Sequence, residues 1–162
     1  MTTTMSKAPT LKQAKKACLQ LHSLIVRANN DGCQANGILP HECVGHMQCA
    51  HIIPKKGNAF ASLHEWNGWS LCQAHHRYID NSANIGRWLH LVNKTCGTEL
   101  INYLLRIHDK RLEDHGPGSR LKWYRSELVR LAWACDSYGI PIRPLPLHIK
   151  VWLESQPENA DY

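Results

Sequence analysis

Two histidines and an asparagine stand out by type and spacing. His51 lies in the run Gln48-Cys49-Ala50-His51-Ile52-Ile53-Pro54, and Asn67 and His76 lie in Trp66-Asn67-Gly68-Trp69-Ser70-Leu71-Cys72-Gln73-Ala74-His75-His76-Arg77-Tyr78-Ile79-Asp80. Hydrolysis of a phosphodiester needs a base for water, a cation at the phosphate and help for the leaving oxygen. An imidazole titrates near neutrality, so His51 suits the base, provided a backbone or amide carbonyl fixes its ring. His76, on the helix expected after it, can present a neutral imidazole to Mg2+, Mn2+ or a similar ion. Asn67, in a short loop, is placed to hold the strand–helix unit together or to influence the His51 ring.

A second set has structural metal chemistry. Cys72-x-x-His75 is half of a zinc site at ordinary ligand spacing. The other half must come from upstream, where Cys33, Cys43, His46 and Cys49 are available. Cys33 follows Asp31-Gly32 and Cys43 precedes Val44-Gly45, so turns favour these two as the partners of Cys72 and His75. Cys43-x-x-His46 is the rival pair. Adjacent residues on a helix point about 100° apart, so His75 and His76 are expected to face different ions. A loop-rich segment with little core of its own would draw folding energy directly from a zinc staple.

The elements that must position these residues follow from periodicity. Leu11, Ala14, Cys18, Leu21 and Ile25 share one helical face, with Thr10 and Gln13 as a capping box, which predicts a helix over 11–28. Asn29-Asn30-Asp31-Gly32 ends it. Cys33 to Asn67 lacks helical periodicity, and its best strand is near Gln48–Ile53. Helix is expected from Ser70, broken near Asp80-Asn81-Ser82. Further helices are expected over 85–93, 99–108 and, after Gly116-Pro117-Gly118, over 119–137, capped by Ser119. Three prolines between Ile140 and Leu147 exclude regular helix there. Cys18, Cys96 and Cys135 read as small core residues, Cys49 as core beside the strand, and Trp66 and Trp69 as walls of the small domain.

The segment from Asp31 to Asp80 resembles an HNH (ββα-metal) endonuclease domain. The resemblance rests on the zinc knuckle, Ala50-His51-Ile52, Asn67-Gly68, Leu71-Cys72 and His76-Arg77-x-x-Asp80, about 50 of the 162 residues. The layout with a helical tail is similar to phage-encoded proteins of the lambdoid recombination-endonuclease type. The resemblance implies His51 as general base, Asn67 as the middle residue of the motif and His76 as ligand of a catalytic Mg2+ or Mn2+. Two positions depart from the family pattern. Ala50 stands where many members carry a metal-binding Asp or His, so the ion must be held by fewer groups or by another side chain. His75 replaces the usual cysteine, and ligates zinc equally well.

The expectation is an α+β fold: a zinc-stapled ββα-metal finger over 31–95, a flexible tail over 1–9, an N-terminal helix over 10–30, and a helical extension with a Pro-rich C-terminal segment over 96–162. Apolar residues at 43% support a real core, and a net charge of +6 favours a polyanion such as DNA. Lys55, Lys56 and Arg77 are the candidate DNA contacts. Lys110-Arg111 and the series Arg120, Lys122, Arg125 and Arg130 predict a basic helical surface.

Seven cysteines cannot all pair internally, no run approaches a membrane span, and Met1–Lys7 is polar. An intracellular location is therefore expected, the bacterial host cytoplasm if the chain is phage-encoded, with a homodimer as a further expected form. The competing readings are a catalytically inactive, zinc-stabilised DNA-binding module and a structural zinc protein that binds another protein.

Overall fold

The computed structural model describes residues 7–55, 59–80, 85–108 and 118–156. Lys56, Gly57, Asn58, Asn81, Ser82, Lys110, Arg111, Gly116 and Pro117, and most of the expected N-terminal tail, lie outside the described residues. The elements are α1 (Leu11–Ala28), β1 (Met47–Ala50), α2 (Ala59–Leu63), β2 (Trp69–Cys72), α3 (Gln73–Asp80), α4 (Ile85–Thr95), α5 (Thr98–His108), α6 (Ser119–Ser137) and α7 (Leu147–Glu154). Among the described residues the fold is α+β, made of helices and a two-stranded antiparallel sheet. Among the described residues no helix is long and apolar enough to cross a membrane.

The chain divides into two compact units, Met1–His22 with Leu112–Tyr162, and Ser23–Arg111. This differs from the expected boundaries at 30/31 and 95/96. The first division falls inside α1, and α5 belongs with the sheet. The reason for the second is burial: Leu104 of α5 and Cys96 join Trp69, Leu71, Ala50, Ile52 and Leu91 in one apolar cluster.

In the unit built from both ends of the chain, Thr10 and Gln13 form the expected capping box. The Thr10 backbone N–H donates to Gln13 Oε1 at 2.9 Å, and the Gln13 N–H to Thr10 Oγ1 at 3.4 Å. Cys18 and Cys135 are fully buried, and the Cys18 thiol donates to the Tyr124 carbonyl at 3.3 Å. Gly118, not Ser119, occupies the N-cap of α6, and no side chain caps that end. Gly139 ends α6 with φ 65, donating to the Asp136 carbonyl, while Ile140 donates to the Cys135 carbonyl. This left-handed terminator, cheap only for glycine, satisfies the last carbonyls of the helix. The prolines hold the chain out of helix as far as Pro146, after which α7 forms with Ile149 and Trp152 buried.

The unit Ser23–Arg111 holds the sheet. β1 and β2 pair Met47 with Cys72, Gln48 with Leu71, Cys49 with Ser70 and Ala50 with Trp69. β2 corrects the expectation of helix from Ser70: all four of its residues are buried, and helix begins only at Gln73. β1 stops at Ala50 instead of reaching Ile53, because the following segment turns so that Ile52 and Ile53 enter the core. Trp69 walls this core as expected, its indole N–H donating to Thr95 Oγ1 at 3.0 Å. Trp66 does not: it is 56% exposed. A Cβ on Gly68 would lie 2.6 Å from Val26 Cγ2, so only glycine fits where the C-terminal end of α1 meets the entrance to β2. α3 follows β2 directly and packs on both strands, giving a strand–strand–helix order.

Candidate metal centre and hydrolytic site

Three local devices bring the metal-ligating side chains together. Gln34 mimics a third strand beside β2: its backbone N–H donates to the Ser70 carbonyl at 2.9 Å, and its Oε1 accepts from the Ser70 N–H at 2.8 Å. That pairing sets Cys33 beside Cys72, whose N–H donates to Cys33 Sγ at 3.3 Å. The loop after Cys43 is fastened by the Ala74 N–H, which donates to the Val44 carbonyl at 3.2 Å. Gly45 makes this possible. Its φ is +83, and a Cβ would meet Gln73 Oε1 at 2.7 Å, so a side chain is excluded on both counts. Cys72 closes β2 and His75 sits in the first turn of α3, supplying the last two groups.

The result is a Cys33, Cys43, Cys72, His75 cluster whose ligand atoms all lie within 4.8 Å of one another. His75 Nδ1 is 3.2 Å from Cys33 Sγ, 3.2 Å from Cys72 Sγ and 3.7 Å from Cys43 Sγ. Four ligands on tetrahedral zinc, with bonds of about 2.0 Å to nitrogen and 2.3 Å to sulfur, would have edges of about 3.5 Å. The cluster could hold a metal such as zinc, with the residues favoured from sequence. His46 is exposed and its Nε2 meets Gln48, so the Cys43-x-x-His46 pair is not what the fold assembles. Cys49 also stays outside the cluster, and burial pushes its thiol up to about 11.

The electrostatics of the cluster suit a cation. Burial raises the Cys72 thiol, but the His75 and Val44 backbone and the neighbouring Cys33 and Cys43 side chains outweigh it, and its pKa is lowered. Cys43 is pushed up to about 11 by desolvation and by Cys33 and Cys72. Three thiols at this spacing would repel one another if all were deprotonated, and a bound divalent ion would offset that repulsion. His75 is held below its ordinary value by burial, which keeps its ring neutral as a ligand must be. His41 stacks 6.4 Å from the His75 ring and edges onto Tyr78 at 4.1 Å. Arg87 lies 3.6 Å over the other partner, the Tyr78 ring.

A second constellation surrounds the end of β1. His51 is the first residue after the strand and is half-buried. Its Nε2 lies 2.9 Å from the Ser62 carbonyl at the end of α2. A carbonyl only accepts, so Nε2 carries the proton and Nδ1 carries the basic lone pair. Ser62 is in turn anchored through its hydroxyl, which donates to the Ala59 carbonyl at 2.8 Å.

Asn67 is fully buried and acts as a clamp. Its Oδ1 accepts from the Ile53 N–H at 2.6 Å, and its Nδ2 donates to the Ile53 carbonyl at 3.1 Å and the Ala61 carbonyl at 2.7 Å. It thereby ties both sides of the loop that carries His51, acting on the backbone.

His76 points away from the cysteine cluster. Its Nδ1 meets Gln48 Oε1 of β1 at 2.7 Å, and its Nε2 lies 3.2 Å from Asp80 Oδ2, one turn along α3. Asp80 thus faces His76. Lys55 and Arg77 are both exposed, while Lys56 lies outside the described residues. The i, i+4 spacing of His76 and Asp80 was a legible signal that the residue types alone did not exploit. Nothing in the sequence marks the Ser62 carbonyl or the Gln48 amide.

No protein-family model, curated protein or solved structure matches the chain.

Proposed function

We propose that the chain is a metal-dependent endonuclease of HNH (ββα-metal) type that hydrolyses phosphodiester bonds in DNA, its core stapled by zinc on Cys33, Cys43, Cys72 and His75. The observation that carries this reading is the pairing of His76 Nε2 with Asp80 Oδ2 at 3.2 Å, on a helix packed against the strand that ends just before His51. Two ligands on one Mg2+ or Mn2+ with bonds of about 2.1 Å, at right angles, lie about 3.0 Å apart. The separation therefore fits a shared ion. Bound there, a divalent cation would stabilise charge on the phosphate and on the departing oxygen.

The chain's own groups supply the rest. His51 is the group to accept the proton of the attacking water; its Nδ1 is buried in this structure, so the step requires that face of the ring to be uncovered when DNA binds, while the Ser62 carbonyl holds the ring and stabilises the imidazolium that forms. Asn67 keeps the His51 loop in register with α2 and β2. Exposed Lys55 and Arg77 and the net charge of +6 supply attraction for the phosphate backbone. Ala50 is 2% exposed and belongs to the core, so two protein ligands, His76 and Asp80, hold the ion and leave the other positions to water and substrate.

The buried Ala50 also favours one other reading, a zinc-stabilised DNA-binding module without catalysis. Plasmid cleavage by the purified chain with Mg2+, Mn2+ or EDTA, beside the His51→Ala variant, separates the two. The nuclease reading expects cleavage that requires metal and falls at least about 100-fold in His51→Ala. DNA binding with no cleavage under either metal, or undiminished cleavage by His51→Ala, overturns it.

A further inference from the structure

We propose that Gln48 is a positioning residue that selects the metal-binding tautomer of His76; the inference rests on the reading of His76 and Asp80 as ligands of a divalent cation. A neutral imidazole has one N–H and one lone pair, and only the lone pair can bind an ion. His76 and Asp80 form an i, i+4 pair at 3.2 Å. Left to itself, such a pair settles with the proton on Nε2, donated to the carboxylate. In that state the nitrogen that faces Asp80 has no lone pair to give, and a cation must first displace its proton.

Gln48 reverses this. Its Oε1 stands 2.7 Å from His76 Nδ1, and an amide oxygen only accepts. The ring proton is drawn to Nδ1, and Nε2 is left as a lone pair beside a carboxylate oxygen. Two acceptors at this separation, with no proton between them, form a ready site for a positive ion.

The amide is held in this sense from its other end. Gln48 Nε2 lies 2.9 Å from His46 Nε2, so the amide N–H2 donates to an imidazole lone pair while the oxygen faces His76. The strand fixes the reach: Gln48 pairs with Leu71, one residue from the Met47–Cys72 pair that adjoins α3. Hydrogen-bonded neighbours that orient a metal-binding histidine typically contribute 10- to 100-fold in affinity.

The test uses the full zinc-loaded chain with Gln48→Met, Gln48→Ala, Gln48→Glu and His76→Ala variants. Mn2+ binding is measured by electron paramagnetic resonance, and the His76 tautomer by nitrogen-15 NMR of the ring before Mn2+ is added. Zinc content and melting temperature serve as checks on the fold.

Gln48→Met and Gln48→Ala are expected to bind Mn2+ about 10- to 100-fold more weakly and to move the His76 proton to Nε2. Gln48→Glu, which keeps an accepting oxygen, is expected to retain the Nδ1–H tautomer and wild-type or tighter binding. Unchanged Mn2+ affinity or an unchanged tautomer in Gln48→Met and Gln48→Ala overturns the proposal, as does Gln48→Glu binding as weakly as they do. If the wild-type chain binds no Mn2+, or His76→Ala binds it equally well, the cation site itself is refuted and the role of Gln48 falls with it.

Discussion

Asn67 offers the sharpest quantitative test, because its amide makes three hydrogen bonds from a fully buried position. Asn67→Ala would orphan the Ile53 N–H, in a residue only 5% exposed, and strip a donor from two carbonyls. A buried unsatisfied group costs about 1–3 kcal/mol, and a carbonyl that loses one donor costs less. The sum is a destabilisation of about 3 kcal/mol, a large share of the stability of a small domain.

Asn67→Asp is the discriminating companion. It keeps the acceptor for the Ile53 N–H but sets a carboxylate oxygen against the two carbonyls that Nδ2 now serves. Ionisation there is unfavourable only in the folded chain, so the folded pKa of the new carboxyl is raised above the ordinary value of about 3.9. Relative to wild type at the same pH, the variant then fares best below that ordinary value, and its deficit grows as pH rises toward the folded pKa. Urea unfolding followed by tryptophan fluorescence, with zinc in fixed excess, measures both. A loss below about 1 kcal/mol for Asn67→Ala, or an Asn67→Asp loss relative to wild type that shrinks as pH rises, would refute the clamp argument.

Two further outcomes are expected. Purified chain should retain zinc at one ion per Cys33, Cys43, Cys72, His75 cluster, and Cys72→Ala or His75→Ala should lose it on dialysis. His46→Ala and Cys49→Ser should keep it, and atomic absorption decides. Cys135 is completely buried and its thiol is pushed by desolvation from 9.0 up to about 11. The unfolded chain then gives up that proton first, so Cys135 lowers stability progressively as pH rises from 9.0 toward about 11. Cys135→Ala should show a shallower alkaline loss than wild type in thermal unfolding, and parallel curves would count against it.

The parts of the fold legible in the sequence are those where one local rule dominates. The α1 stripe from Leu11 to Ile25 and the Thr10–Gln13 cap needed no tertiary partner to be read, nor did the stop at Gly139. The metal cluster was legible because thiol and imidazole at short spacing have few other uses. β2 was not, since a strand buried on both faces shows no alternation and four residues suit either state. The end of β1 was misplaced because Asn67, well downstream in sequence, decides where Ile53 turns. The division inside α1 escaped because one uninterrupted apolar stripe serves two different units.

The adjacency of His75 and His76 shows how a structural ion would bear on the proposed hydrolytic site. Consecutive helical residues diverge by about 100°, so fixing one ring fixes the roll of the helix and therefore the other. His75 is drawn to Cys33 and Cys72, both at 3.2 Å, and Cys72 is itself locked to Met47 across the sheet. That leaves α3 one roll angle relative to β1, the one at which His76 Nδ1 meets Gln48 and Nε2 meets Asp80. A helix of eight residues has few apolar contacts of its own to define this angle, with only His75 and Ile79 buried. A metal bound by His75 with Cys33, Cys43 and Cys72 would supply the constraint that packing does not. The proposed cation site, about 100° around α3 from His75, would depend on that constraint.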